Sequence, residues 1–346
     1  LLGPAHGRLS QAYAMRGDDG DLDRAKETGD KALEIWIPTT RTDELAEHNF
    51  MHAHTHYWIG GFDRALELSR AARELAVHSG SREALLRGGA LEGASLAAMG
   101  RYEEALSAFD ERIALGRELG RPVRVLLNYS TAALRDLYDL DEARRRNEEA
   151  LEQRGWSSFN MPWQNALVDL VFNDLLAGDI ASAEARWPKV WDDVRAGKAW
   201  QRWFLVGKMA AARAELALHT EGAEAAADWA QKAIEMAVPV GRLKYETVAR
   251  TILAEALLTI GRVREAVAEL QTAVSGADRL GSPPGRWKTR AALGRALYAL
   301  GRDDEAERRL RDASDVIQDV AKGLSRERAE RFLNAAPVLE VLKAAP

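Results

Sequence analysis

Residues 100–113 read GRYEEALSAFDERI. The same outline recurs at 20–32 (GDLDRAKETGDKA), 60–72 (GGFDRALELSRAA), 178–190 (GDIASAEARWPKV), 261–273 (GRVREAVAELQTA) and 301–313 (GRDDEAERRLRDA). Each copy opens on Gly and has Ala five positions later. In all but the copy at 100, a small or aliphatic residue follows seven beyond that Ala. At 100, Ala105 is followed by Arg112, and the apolar residue is Ile113, one place late. Two degenerate copies fill the gaps. YDLDEARRRNEEA (138–150) has Tyr138 in place of Gly, and EGAEAAADWAQKA (221–233) has its Gly displaced to Gly222. A second mark lies near the middle of the interval, at Gly80, Gly120, Gly241 and Gly281, with Gly197 one residue short. Both markers keep one period of about forty residues, and repetition at that period signals a repeat architecture.

Within a unit the apolar spacing is helical. Leu85, Leu86, Gly89, Gly93, Leu96 and Met99 form one stripe, and Ala105, Leu106, Phe109 and Ile113 form another. Such i, i+3, i+4 recurrence predicts two amphipathic helices per unit, broken by the junction Gly, which tolerates a left-handed C-terminal conformation. No unit can bury its apolar face alone, so the units must stack into a solenoid. The expected fold is therefore all-α, with eight helix pairs over 1–320 and breaks near 20, 60, 100, 138, 178, 221, 261 and 301. Residues 321–346 are expected to form short capping helices, with Ser325 as an N-cap and Pro337 near a helix start.

The segment MGRYEEALSAF, with Gly93 seven residues ahead of Gly100, resembles the tetratricopeptide repeat, as does LGRALYALGRDDEA with Leu293 and Gly294 ahead of Gly301. The resemblance spans roughly 4–318 and implies a right-handed α-solenoid with a concave groove for partners. The forty-residue period is similar to the long-repeat variety found after ATPase modules in bacterial signalling proteins, often with a cyclase or a LuxR-type domain elsewhere. The closing segment IQDVAKGLSRERAERFLNAAPVLEVLKAA resembles the end of those proteins. A start at Leu1, already in helical pattern, fits a piece of a longer chain.

Composition narrows the function. A net charge of −5 offers no basic face for nucleic acid. Charges interrupt every apolar run well short of the roughly 20 residues of a membrane span. The absence of Cys excludes thiol catalysis and fits a reducing, cytoplasmic setting, with a secreted protein lacking disulfides as the alternative. No phosphate-cradling loop is present: Gly197-Lys198 lacks the spacing and the following Ser or Thr. GASLA (93–97) lacks the second Gly of a nucleophile elbow, and DDGDLD (18–23) lacks calcium-loop spacing. Neither a catalytic residue nor a cofactor is expected.

Four of the seven histidines fall in HNFMHAHTHYWIG (48–60). His48, His52 and His56 share one helix face, and HxxxH can set two imidazoles on one zinc, but no Glu follows His48 to make the HExxH protease motif. His52 and His56 fall eight and four residues before Gly60, where a first helix meets its partner. They are expected to be half-buried against neighbouring carboxylates or carbonyls, with no metal assigned. The family resemblance places the residues six, three and two before the junction Gly on the concave groove. That assigns His54, Tyr57 and Trp58 to the groove, with Phe50 one turn earlier.

A second enrichment runs from 156 to 204. Six of the ten Trp residues lie there (Trp156, Trp163, Trp187, Trp191, Trp200 and Trp203), together with Phe159, Phe172 and Phe204. It reads either as core filling across an irregular junction or as an aromatic ligand wall. Asn165, Asp169 and Asn173 share one helix face, as a solvated surface or as polar selectors. In the last units the groove phase gives Lys208, Glu215, Thr251, Glu255, Lys288, Arg295 and Tyr298, a mixed-charge lining suited to a peptide segment. The expected function is a non-catalytic protein-binding or scaffold module. The alternative is a small-molecule sensor, since the chain also resembles the sensor region of the bacterial maltose activator.

Overall fold

The computed structural model describes residues 2–36, 42–153, 161–196 and 202–345. Those residues form eighteen helices and no strand. The first four pairs are α1 (Leu2–Arg16) with α2 (Asp21–Ile35), α3 (Thr42–Ile59) with α4 (Phe62–Ser79), α5 (Arg82–Ala98) with α6 (Tyr102–Glu118), and α7 (Arg124–Asp136) with α8 (Leu140–Glu152). The next four are α9 (Met161–Leu176) with α10 (Ile180–Ala196), α11 (Arg202–Thr220) with α12 (Ala223–Ala237), α13 (Leu243–Thr259) with α14 (Val263–Leu280), and α15 (Pro283–Ala299) with α16 (Asp303–Lys322). Two short helices follow, α17 (Arg326–Leu333) and α18 (Ala336–Ala344).

The turns between paired helices share one mechanism in six of the eight pairs, all but the first and the sixth. The residue after the first helix goes left-handed, and the next N–H bonds back to a carbonyl five residues earlier, as Arg101 does to Leu96 at 2.9 Å. Tyr138 keeps this geometry without glycine: its φ is 57°, and the Asp139 N–H reaches the Leu134 carbonyl at 2.9 Å. The degenerate copy is therefore degenerate in sequence only.

Each second helix packs on its own partner and on the first helix of the next pair, while successive first helices also touch one another. The first helices form the inner layer and the second helices the outer one. Small residues set the spacing. A Cβ on Gly93 would come within 2.7 Å of the buried Phe109 ring. Gly89 explains the irregular copy at 100, because the stem of buried Arg112 lies where a Gly89 side chain would be. Ala105 and Ala266 are fully buried at such crossings. Replacing either with Leu should cost about 1–3 kcal/mol through overpacking. Thermal melts that match the parent for both variants would contradict this packing.

The solenoid coils tightly enough to meet itself. Trp203 Nε1 donates to the Met15 carbonyl at 3.3 Å, joining pair six to pair one. A Cβ on Gly60 would lie 2.7 Å from Leu280, and one on Gly100 would lie 2.8 Å from Pro283. Farther on, the Ser325 N–H donates to Glu103 at 2.7 Å, Arg328 pairs with the same carboxylate, and Arg331 pairs with Asp139. Ser325 stands at the N-cap position of α17 without a side-chain capping bond, and Pro337 lies in the first turn of α18. Phe332, Val338 and Val341 bury against the core shared by pairs three, four and eight. The first three junctions thus each rest on a repeat five units later, and the fourth rests on the capping helix α17. The first helices line the inside of the coil, and we call the space they face the lumen.

Candidate ligand-binding lumen

The inner helices bring side chains from distant repeats together. From α3 come His54 and Tyr57, both half-buried. His54 Nδ1 donates to the Phe50 carbonyl of its own helix at 3.1 Å, and Phe50 packs edge-on to that imidazole. Burial lowers the His54 pKa to about 4, so the ring is neutral and turns its Nε2 lone pair away from its helix. Tyr57 meets Tyr129 of α7 in a T-shaped contact with centroids 5.6 Å apart. Burial raises the pKa of both phenols above the ordinary value.

Trp58 is a correction. It is 6% exposed, scarcely more than His56 at 4%, because it packs edge-on to Trp203 and tilted against Phe204. Both indoles therefore serve the closure, and the Trp203 N–H is already engaged with Met15. His52 is buried more deeply than the expected half, at 1%, since Gly29 leaves a slot for its ring.

Along the next helices runs a charged network. Asp169 accepts from Arg135 at 2.5 Å and from Lys208 at 2.7 Å. Asn165 completes it, accepting from Lys208 at 2.7 Å and donating to Asp169 at 2.9 Å. This face is not solvated: Asp169, Asn173 and Lys208 are all buried. Burial would raise the Asp169 pKa, but its two cations outweigh it and hold it below the usual carboxylate range. Burial lowers Lys208 to about 8 despite Asp169. Asn173 is buried, and its amide has no hydrogen-bond partner among the described residues.

Arg242, at the N-cap of α13, was not legible as a site residue because it follows the turn glycine Gly241. It is buried, with its guanidinium 4.4 Å from the Phe204 ring centroid, 5.0 Å from Tyr245 and 5.4 Å from Trp203. Its charge is felt by Tyr57 and Tyr129, so it faces the same aromatic wall. No carboxylate pairs with it among the described residues, and Nη1 lacks any hydrogen-bond partner there. Burial lowers its pKa, against the opposing pull of the Tyr245, Tyr129 and Tyr57 phenols.

The other end is acidic. Burial, reinforced by Glu255, raises Glu215 to about 7, against the pull of Lys288 and Arg135. Lys288 lies over Tyr138 and Trp287. Arg295 approaches Glu255 at 3.5 Å and Glu340 of α18 at 4.0 Å, and both Arg295 and Tyr298 are exposed at the rim. Thr251 donates to the Thr247 carbonyl of its own helix. Arg135, three residues before Tyr138, holds the same phase as Tyr57 and joins the lining, although the sequence analysis does not select it.

The aromatic segment divides differently from either expectation. Trp163, Trp187 and Trp191 belong to the core of pairs five and six, where Trp191 meets Trp229 of α12, and Arg213 lies over both Trp187 and Trp229. Phe172, under Arg135, and Phe204 with Trp203, against Arg242, join the lumen lining. Trp156, Phe159, Gly197, Lys198 and Trp200 lie outside the described residues.

No family model matches the sequence. None of the curated proteins matches it either. Solved structures do. The fold is tetratricopeptide-like. The chain is similar to NprR in complex with its cognate peptide NprX (TM-score 0.61, 10% identity, 93% of this chain and 94% of that one). It is similar to a Rap protein complexed with competence and sporulation factor (TM-score 0.58, 11% identity, 99% and 98%). It also resembles the Cut9–Hcn1 assembly of the APC/C (TM-score 0.62, 15% identity), covering 94% of this chain but only 60% of that one. Among the described residues, no helix is long and apolar enough to cross a membrane.

Proposed function

We propose that the chain is a non-catalytic receptor for a short protein segment, held in the lumen with an acidic group on Arg242. The observation that carries this reading is Arg242 itself: a buried cation boxed by Phe204, Tyr245 and Trp203, with an unused N–H and no paired carboxylate among the described residues. A guanidinium left so would cost stability, whereas a charge-assisted bond from a ligand carboxylate satisfies it. The acidic end, Glu215 with Glu255, suits a basic residue of the same segment. NprR was solved with a peptide, which supports the reading by analogy of fold.

Within this reading, residues 1–320 are the receptor and 321–346 its cap, and the parent is a cytoplasmic bacterial regulator whose effector lies elsewhere. A small anionic aromatic ligand is the second reading, favoured by Tyr57, Tyr129 and Tyr245 around Arg242. A sugar site in the Trp-rich segment has less support, because the described Trp residues there are packed in core or closure.

Selection from a displayed heptapeptide library tests the proposal. Enriched sequences should share an acidic group, with a basic residue apart from it. Enrichment of uncharged apolar sequences would contradict it.

The pH dependence follows from Glu215. Its folded pKa is about 7, so it is largely protonated at pH 5–6 and cannot pair with a cation. Affinity for a selected peptide bearing Lys or Arg should rise by up to about tenfold per unit toward pH 7, then level. Calorimetric titration across that range checks this. A slope unchanged in Glu215→Gln would remove Glu215 from the site.

A further inference from the structure

Three donor atoms converge between α2 and α3, on the side of α3 facing away from the lumen. His52 Nε2 lies 2.8 Å from Asp30 Oδ1, His56 Nε2 lies 3.4 Å from the same oxygen, and the two Nε2 atoms are 3.3 Å apart. We infer that Asp30, His52 and His56 bind a divalent transition ion of the zinc class, which joins the first helix pair to the second.

Hydrogen bonding alone accounts poorly for this triangle. If both Nε2 atoms carry protons, the two N–H groups crowd each other over one oxygen. If only His52 does, the His56 lone pair faces a carboxylate oxygen. A cation resolves the conflict, since all three atoms then present lone pairs to it. Ligand bonds of about 2.0–2.1 Å in a tetrahedron put donor atoms about 3.3 Å apart. Two of the three observed edges match that value, and the third needs a small rotation of Asp30, which is 32% exposed.

The surroundings suit such a site. Lys26 Nζ holds the other carboxylate oxygen at 2.9 Å, leaving Oδ1 as a single donor. The His52 ring is fixed by packing in the slot at Gly29, where a Cβ would come within 2.2 Å of Nδ1. His48 stacks on His52 but is tethered to the Gly29 carbonyl, outside the donor set. Burial lowers His52 to about 4 and His56 below its ordinary value, so both are neutral near pH 7 and offer lone pairs. Histidine nitrogen with one carboxylate oxygen favours zinc or its neighbours over magnesium or calcium. A fourth position would take water. With both imidazoles buried, the site is a staple rather than a substrate centre.

The test uses tag-free protein stripped with a chelating resin, loaded with Zn²⁺ and dialysed. About one equivalent should remain by elemental analysis, and Co²⁺ should give the intense visible bands of tetrahedral coordination. Zn²⁺ should raise the melting temperature, and chelator should reverse the rise. Asp30→Asn and His56→Gln should each lose the retained equivalent and the shift, whereas exposed His78→Ala should keep both. Circular dichroism verifies folding; if His56→Gln unfolds, the partly exposed Asp30→Asn decides alone. Retention of the equivalent in Asp30→Asn, its loss in His78→Ala, or its absence from the parent chain would each overturn the inference.

Discussion

Asp169→Asn is expected to lower stability by about 3–5 kcal/mol, the cost of breaking a buried ion pair by removing one partner. Asp169 is the only carboxylate paired with Arg135 or Lys208 among the described residues, and these side chains are 14% and 5% exposed. The amide would leave two cations facing each other in the lumen wall. Lys208 can relieve part of this by losing its proton, since its pKa is already about 8. Adding Lys208→Met to Asp169→Asn should therefore recover part of the loss, and the double-mutant cycle measures their coupling. The acid side has a definite sign. The folded pKa of Asp169 lies below the ordinary 3.8, so its contribution is complete above that value and is lost as pH falls through the folded pKa. Urea unfolding followed by helical circular dichroism reads the difference. A loss under about 1 kcal/mol would mean the network is solvated rather than buried.

Gly17 and Gly80 provide the second large effect, as a matched comparison. Their φ angles are 66° and 70°, so an added methyl strains both backbones similarly, by about 1–2 kcal/mol. Their surroundings differ. A Cβ at Gly80 meets nothing within 4 Å, whereas one at Gly17 would lie 2.0 Å from Trp203 Cδ1. Gly17→Ala must therefore displace the indole that donates to Met15 and supports Trp58. Its cost should exceed that of Gly80→Ala by about 1–3 kcal/mol, and small-angle scattering should show an expanded coil only for Gly17→Ala. Equal melting temperatures and equal radii for the two variants would count against the closure.

Most of the fold was legible because it is written locally. A junction Gly, an Ala five residues on and a helical stripe each report on neighbours within one unit. Even Tyr138 could be placed, since the residues around it stay in phase. Closure was not legible. Trp203 and Met15 are 188 positions apart, and their meeting depends on superhelical pitch summed over five repeats. For the same reason, the groove phase selects Trp58, which serves the core of the closure. The lining was partly legible: the groove phase that the family resemblance implies selects His54, Tyr57, Glu215 and Glu255. Arg135 obeys the same phase and could have been read, while Arg242 enters from a turn that the phase rule does not cover. The partner of His52 and His56 was hidden too, because Asp30 lies on another helix and HxxxH spacing names only two donors.

The direct measurement is the affinity of one selected acidic peptide for three proteins: the parent chain, Arg242→Ala and Trp229→Ala. Arg242 faces the aromatic wall of the inner layer, whereas Trp229 lies on α12 in the outer layer. Loss of a charge-assisted bond from a desolvated site predicts roughly a 10- to 100-fold weaker Kd for Arg242→Ala, with Trp229→Ala close to the parent. An unchanged Kd in Arg242→Ala, together with a weakened one in Trp229→Ala, would move the binding site to the outer surface and contradict the account.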